Sequence, residues 1–416
     1  MTKVEIFNQA REVFVFSYKS IKMNRVLAED LFLLLNYNWK YGKGQIKGFF
    51  QRHEVETMQF DKTHQSVLAT FGPYPRKDHA NLYQQVMSRL DKRVASNNLM
   101  QMKRKYCFHL GTLIKVMTDA FPNINKISGV SFFQKILLLA NCTMYCNTID
   151  VLDRMDFTGV KKYLCQCHVL DLENLMTQFF KNKGVPTYSL VEAVYMIFKN
   201  YQNDGVIAYE NFETDHLLLW GQYSKDEYVA WGINEKNLEV AGYPKEVMVK
   251  SFKENPSMKR CMILLAGHAY VSTNLTLLEM LSKHTDEFEF YVKPHPAAVE
   301  YYQEVTSKYG MKLIPSNETI ENCLLQEKFD WCVAVNTTVY YEALLRGVPC
   351  FRYYDGSFDL LPGCENDIFK NEKDLIRLIE LYKKREIDVY QREVDEMLEY
   401  TMGLGIDKYK EIILEC

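Results

Sequence analysis

From about residue 156 the chain alternates short apolar runs with stretches in which apolar residues recur every three or four positions, the pattern of strands followed by amphipathic helices. Lys161–Cys167 reads as a strand running into His168–Asp171. Leu172–Lys183 then reads as a helix closed by Gly184, and Val185–Leu190 as the next strand, ending in Val191-Glu192-Ala193. A loop with Asn203-Asp-Gly205 leads to an apolar strand at Leu217–Trp220, a helix at Tyr223–Trp231 and a strand-like exit at Leu238–Pro244. Lys245–Met258 is polar and charged, and reads as a linker. Beyond it, strands at Cys261–Leu265, Glu287–Val292, Lys312–Ile314, Trp331–Val335 and Pro349–Phe351 alternate with helical stretches at Asn274–Lys283, Val299–Tyr309, Ile320–Lys328 and Val339–Leu345. Strands and helices in that alternation predict an α/β chain with a doubly wound parallel sheet on each side of the linker, two Rossmann-like domains facing across a cleft.

The first 125 residues are less patterned. Val26–Tyr37 and Leu82–Leu99 carry helical spacing, whereas Gly42–Gly48 and Phe71–Pro75 punctuate as loops. Phe132, Phe133, Ile136, Leu137 and Ala140 form one apolar helix face, read as a buried core helix. The division expected is a helix-rich 1–155 joined to a Rossmann-like 156–248, a second Rossmann-like domain at 249–390, and C-terminal helices at 391–416 able to cross back to the first domain.

Composition narrows this picture more than it adds to it. A chain of 416 residues, 47% apolar and 25% charged, has the make-up of a globular protein. A formal charge of -3 supplies no basic field for nucleic acid, so any anion site is local. Lys103-Arg-Lys105 is a basic cluster, read first as a solvated helix face and second as an acidic-membrane or glycan contact. The polar start and eleven cysteines predict a cytoplasmic protein with reduced thiols. No apolar run approaches the roughly 18 residues of a membrane span, which leaves peripheral contact with the inner membrane face. Neither cysteine pair, Cys165-Gln-Cys167 or Cys142 with Cys146, has zinc spacing, and no Asp-x-Asp stands at a strand end, so no metal is expected.

The chemistry concentrates at two strand ends in the second half. Glu287–Pro296 ends in Lys293-Pro-His-Pro296, and Asp330–Thr338 ends in Asn336-Thr-Thr338. Residues just past the strand ends of an open parallel sheet line its ligand crevice. His295, Lys293 and the two threonines there predict a phosphate cradle, and with it a nucleotide site. His295, with an ordinary pKa near 6.5, suits donation of a hydrogen bond or a positive charge. Thr337 and Thr338 suit phosphate contact or helix capping.

Lys293-Pro-His-Pro296 with Val335–Pro349, and upstream Asn174–Gly184 and Leu219–Pro244, resemble the GT-B glycosyltransferases of the bacterial capsule and surface-polysaccharide group. That group includes sialyl-, polysialyl- and Kdo transferases and teichoic-acid glycerophosphotransferases. The resemblance spans roughly 160–350 and omits the first 125 residues. It implies a donor site in which the His-Pro and Ser/Thr motifs hold phosphate and Glu342 accepts from ribose hydroxyls. The glycine-bearing turn at Gly267 faces the donor; Asn336 and Arg352 read as further cleft residues or, equally, as a strand-end turn and half of a surface pair. Where the group often reads Leu-Gln-His-Gly, this chain has Leu190-Val-Glu-Ala193, so Glu192 replaces the expected histidine as base, with Asp171 and Glu173 as competitors. The implied activity is metal-independent, inverting transfer from a nucleotide sugar, CMP-linked before UDP-linked, to a glycan or lipid-linked glycan acceptor, with no separate cofactor. The alternatives are a CDP-glycerol-type glycerophosphotransferase and a non-catalytic glycan-binding or scaffolding subunit.

Overall fold

Apolar segments too short for a helix core and bounded by glycine or polar residues become parallel strands in both halves of the chain. The structure, a computed structural model, describes residues 2–415 apart from 38–41, 43, 63, 65, 73–76, 197–205, 247–248, 255–256, 316, 326–328 and 404. The loop reading at Asn203–Gly205 and most of that at Phe71–Pro75 lie outside the described residues. The chain divides into two compact units: Met1–Trp220 with Ser224–Lys245 and Gly405–Cys416, and Gly221–Tyr223 with Glu246–Leu404.

The main sheet of the first unit has six strands: β1 (Ser66–Phe71), β2 (Val94–Asn98), β3 (Val160–Cys165), β4 (Thr187–Leu190), β5 (His216–Leu219) and β6 (Leu238–Val240). They lie in the order β2-β1-β3-β4-β5-β6, with every neighbouring pair parallel. β1 and β4 are buried along their whole length, which is why they read as runs rather than as alternation. Two of these strands come from the stretch where helix and loop were expected. Leu82–Leu99 divides into the end of helix Lys77–Arg89 and the edge strand β2. Val94-Ala-Ser-Asn-Asn98 has almost no strand signature of its own; backbone pairing from Val67↔Val94 to Phe71↔Asn98 makes it one.

Val26–Tyr37 is likewise not one helix but short turns at Met23–Val26, Ala28–Phe32 and Leu34–Asn36. The loop expected at Gly42–Gly48 is a correction too, since a 3-10 helix covers Ile46–Phe50. Gly48 sits there because an added Cβ would come within 2.6 Å of Ala140 O on the long helix Phe132–Leu152. That helix starts with a Ser131/Gln134 capping box and is buried from Leu137 through Ile149, forming the spine of the helix-rich part. No helix among the described residues is long and apolar enough to cross a membrane.

The second unit holds β7 (Arg260–Leu264), β8 (Glu289–Lys293), β9 (Lys312–Leu313), β10 (Trp331–Ala334), β11 (Cys350–Tyr353) and β12 (Ile368–Phe369), all parallel, in the order β9-β8-β7-β10-β11-β12. The last strand, two residues long, is too short to leave a sequence pattern. Each sheet has one point where the chain reverses its direction of travel across the sheet. These are between β7 and β10 in the second unit and between β1 and β3 in the first, and ligands bind outside the strand ends at such points. After helices Glu372–Lys383 and Ile387–Thr401, residues 405–415 pack into the first unit. There Tyr409 is fully buried, its hydroxyl donates to Gly242 O at 2.7 Å, and Lys162 Nζ donates to Ile413 O at 2.8 Å.

Candidate active-site residues

In the second unit, registry brings three strand ends level. Leu264 pairs with Lys293 of β8 on one side and with Ala334 of β10 on the other. Gly267, His295 and Asn336–Thr338 therefore follow three adjacent strands. Asn274, fully buried on helix Val271–Leu281, donates through Nδ2 to Ala266 O at 2.9 Å and to the Tyr302 hydroxyl at 2.7 Å. That pair of bonds ties the turn after β7 to the segment after β8. The result is close: a Cβ on Gly267 would stand 3.7 Å from the His295 ring, in ordinary van der Waals contact. His295 is half-buried.

Thr337 and Thr338 are half-buried at the start of helix Val339–Leu345. Thr338 holds the cap position in helical geometry with no side-chain cap bond, while Thr337 Oγ1 accepts weakly from Val339 N at 3.5 Å. Capping thus uses little of either hydroxyl. Glu342 lies one turn further along the same helix, half-buried rather than sealed in the core.

Three other residues have different tasks from those expected. Lys293 is buried, and its ammonium donates to Pro315 O at 2.9 Å and Glu318 O at 2.6 Å, holding the turn after β9 in place of a phosphate. Burial lowers its pKa. Asn336 has its amide fully engaged: Nδ2 donates to the Tyr270 hydroxyl and Asp359 O, and Oδ1 accepts from Leu361 N. It therefore fastens the loop after β11 over the ends of β7 and β10. Arg352, read as a cleft residue or half of a surface pair, is buried, with Nε and Nη2 each 2.9 Å from the Asp367 carboxylate. In the fastened loop, Phe358 meets Tyr270 edge-to-face at 5.2 Å, and Asp355 accepts from Thr273 Oγ1 at 2.7 Å. Burial would raise Asp355, but hydrogen bonds from Ser357 and Thr273 hold its carboxyl below the ordinary range.

The first unit gathers acids around the ends of β3 and β4. Asp171 opens helix Asp171–Asn182 with φ +45°, a left-handed conformation that costs a residue with a side chain about 1 kcal/mol or more. Burial raises its pKa well above the usual carboxylate range, and Glu29 and Asp30 raise it further. Asp30 accepts from Asn141 Nδ2 at 2.8 Å and from the Tyr37 hydroxyl; burial raises it as well. Such carboxyls titrate as a group. His53, stacked on Tyr145, is pushed down to about 3 by burial and then by Arg104, so its imidazole is neutral. Glu173 is 1% exposed and accepts from Thr70 Oγ1, Gln166 N and Cys167 N; burial nonetheless pushes its carboxyl up to about 8. Glu192, half-buried after β4, accepts from the Tyr195 hydroxyl at 2.8 Å. Glu29, Asp30, Asn274 and Asp355 carried no motif. Only the strand ends they reach could have singled them out.

No protein-family model and no curated protein matches the chain. Among solved structures, a UDP-GlcNAc 2-epimerase of Methanocaldococcus jannaschii in complex with UDP-GlcNAc and UDP is similar over 84% of this chain and 98% of that one, at 12% identity and a TM-score of 0.49. The lipopolysaccharide outer core galactosyltransferase WaaB covers 84% of this chain and 99% of its own, at 12% identity and TM-score 0.45. The wall teichoic acid polymerase TagF covers 94% and 95%, at 11% and 0.45. Likeness at this identity and TM-score assigns neither substrate nor residue role to this chain.

Proposed function

We propose that the second unit binds a nucleotide-linked sugar at the β7/β10 reversal, and that the protein is an inverting, metal-independent glycosyltransferase of GT-B type. The observation that carries this reading is the apposition of Gly267 and His295 at adjacent strand ends, with Thr337 and Thr338 following the strand on the other side of β7. A turn without a side chain lets backbone approach a ligand, and an imidazole after the strand on one side of it and two hydroxyls after the strand on the other supply donors for phosphoryl oxygens. Glu342 would take the ribose hydroxyls. In the reaction, an acceptor hydroxyl oxygen forms a bond to the anomeric carbon as the bond from that carbon to the phosphate oxygen breaks. The hydroxyl proton passes to a carboxylate, and the charge left on the nucleotide phosphate is stabilised by His295 and the threonines.

Asp171 and Glu192, both of the first unit, are the candidate bases. Burial raises the pKa of Asp171 and so opposes its ionisation, whereas Glu192 is half-buried after β4 and stands first. A CMP-linked donor is preferred and a UDP-linked donor is the alternative, with a surface glycan or lipid-linked glycan as acceptor at the inner face of the cell membrane. Calorimetric titration with CMP, CDP, UDP and GDP tests the reading. One nucleotide is expected to bind, and His295→Ala to weaken it about tenfold or more and to reduce transfer on the order of a hundredfold, with an unchanged circular dichroism spectrum. Indifference to all four nucleotides, or near-normal turnover by His295→Ala, would remove the assignment.

A further inference from the structure

The outward side of the first unit's helix-rich part carries apolar surface that its packing does not use. Residues 110–125 run as one helical stretch, with a π-helical turn at Val116–Ala120 between α-helical ends. Thr112, Val116, Ala120 and Ile124 form its buried face. On the opposite side Leu110, Ile114 and Met117, spaced i, i+4, i+7, are all exposed, where a surface helix ordinarily places charge. The apolar row extends at both ends. Phe121 meets Phe132, 66% exposed, edge-to-face at 6.3 Å. Phe108, 57% exposed, stacks on the exposed ring of Phe50 at 5.8 Å, and Tyr106 nearby is 68% exposed.

Charge on this side is mostly positive. Arg52, Lys103, Arg104, Lys105 and Lys115 stand there against Glu54, Glu56 and Asp119, of which Glu56 pairs with Arg52 and Asp119 with Lys115, in a chain whose formal net charge is -3. Strand Arg104–Tyr106 pairs with Gln51–His53, which sets Lys105 opposite Arg52 and Arg104 opposite His53, and Cys107 N donates to Phe50 O at the end of the pair. Neither Lys103 nor Lys105 has a carboxylate within ion-pair distance among the described residues. A large exposed apolar surface marks a contact. Protein interfaces are depleted of lysine, whereas aromatic rings and aliphatic residues ringed by lysine and arginine match the headgroup layer of an anionic bilayer.

We propose that this face docks on an anionic lipid surface. The rings of Phe50, Phe108 and Phe132 and the Leu110–Ile114–Met117 row enter the headgroup layer, and the basic residues meet lipid phosphates. The proposal does not depend on the reaction assigned above.

Co-sedimentation of the full chain with vesicles tests it, using phosphatidylcholine alone and phosphatidylcholine with about one-third phosphatidylglycerol. The chain is expected to partition on the order of a hundredfold more strongly to the anionic vesicles, and to be released by about 0.5 M salt. Lys103→Glu with Lys105→Glu should lower partitioning by roughly twenty-fivefold or more, at about fivefold per charge. Ile114→Ser with Met117→Ser should lower it about fivefold while leaving the salt response in place. Leu381→Ser with Val389→Ser, exposed positions of the second unit, should change nothing. Circular dichroism reports whether each variant is folded. Failure of the wild-type chain to sediment with anionic vesicles, or wild-type partitioning by both patch variants, overturns the proposal. So does a dimer, seen by ultracentrifugation, that Ile114→Ser with Met117→Ser dissolves while no vesicle binding occurs.

Discussion

A methyl group added at two glycines of the second unit would meet very different surroundings. At Gly363 it would lie 2.2 Å from Arg352 Nη2, whose guanidinium is buried against Asp367 and cannot swing away without leaving that carboxylate unpaired. Gly363→Ala is therefore expected to lower stability by about 3 kcal/mol, read as a shift of the urea midpoint of the second unit. At Gly267 the methyl would touch the His295 ring at 3.7 Å, so Gly267→Ala should change stability by less than about 1 kcal/mol. It should instead weaken nucleotide binding, measured in the same titration as His295→Ala. The two outcomes separate a glycine required by packing from one required by a ligand. A fall in stability at Gly267 as large as at Gly363 would remove that distinction.

At the scale of elements, helix Asp171–Asn182 joins the site to the pH dependence of the fold. Glu173, in its first turn, is pushed up to about 8 from an ordinary 4.5 by burial, against three hydrogen bonds to its carboxyl. Between those two values the folded chain keeps a proton that the unfolded chain releases. The stability Glu173 contributes is thus complete below about pH 4.5 and is lost as pH rises through about 8. Glu173→Gln cannot ionise. Its urea midpoint should gain on the wild type between pH 5 and pH 9, by on the order of 4 kcal/mol in the first unit. Parallel pH profiles for the two proteins would show that Glu173 does not titrate in this window. β2 shows the reverse relation between element and residues: five mostly polar residues form a strand only because β1 offers its edge.

At the scale of the whole molecule, the last dozen residues belong to the unit that the chain left at Lys245. Tyr409 fills a core position beside Val67, Leu164 and Leu218, so Tyr409→Ala should cost the first unit roughly 3–5 kcal/mol. Hydrogen exchange should speed up in β1–β6 and stay unchanged in β7–β12. Acceleration in both sheets alike would show that the tail does not belong to one unit alone.

Five of the six strands of the second unit and the helix-strand alternation after residue 156 were legible in the sequence because each is a local apolar run with its own stop signals. The positions of His295, Thr337 and Thr338 just past strand ends were legible as well, since each apolar run there stops abruptly in polar residues. Lys293, Asn336 and Arg352 looked like rim residues by the same logic. Only the folded chain shows that carbonyls, an amide and a carboxylate from distant segments engage them. β1 and β2, the acids gathered around Asp171 and the closing tail were decided in the same way. Pairing edges, desolvation and the proximity of like charges arise between segments far apart in the chain, so no window of sequence contains them.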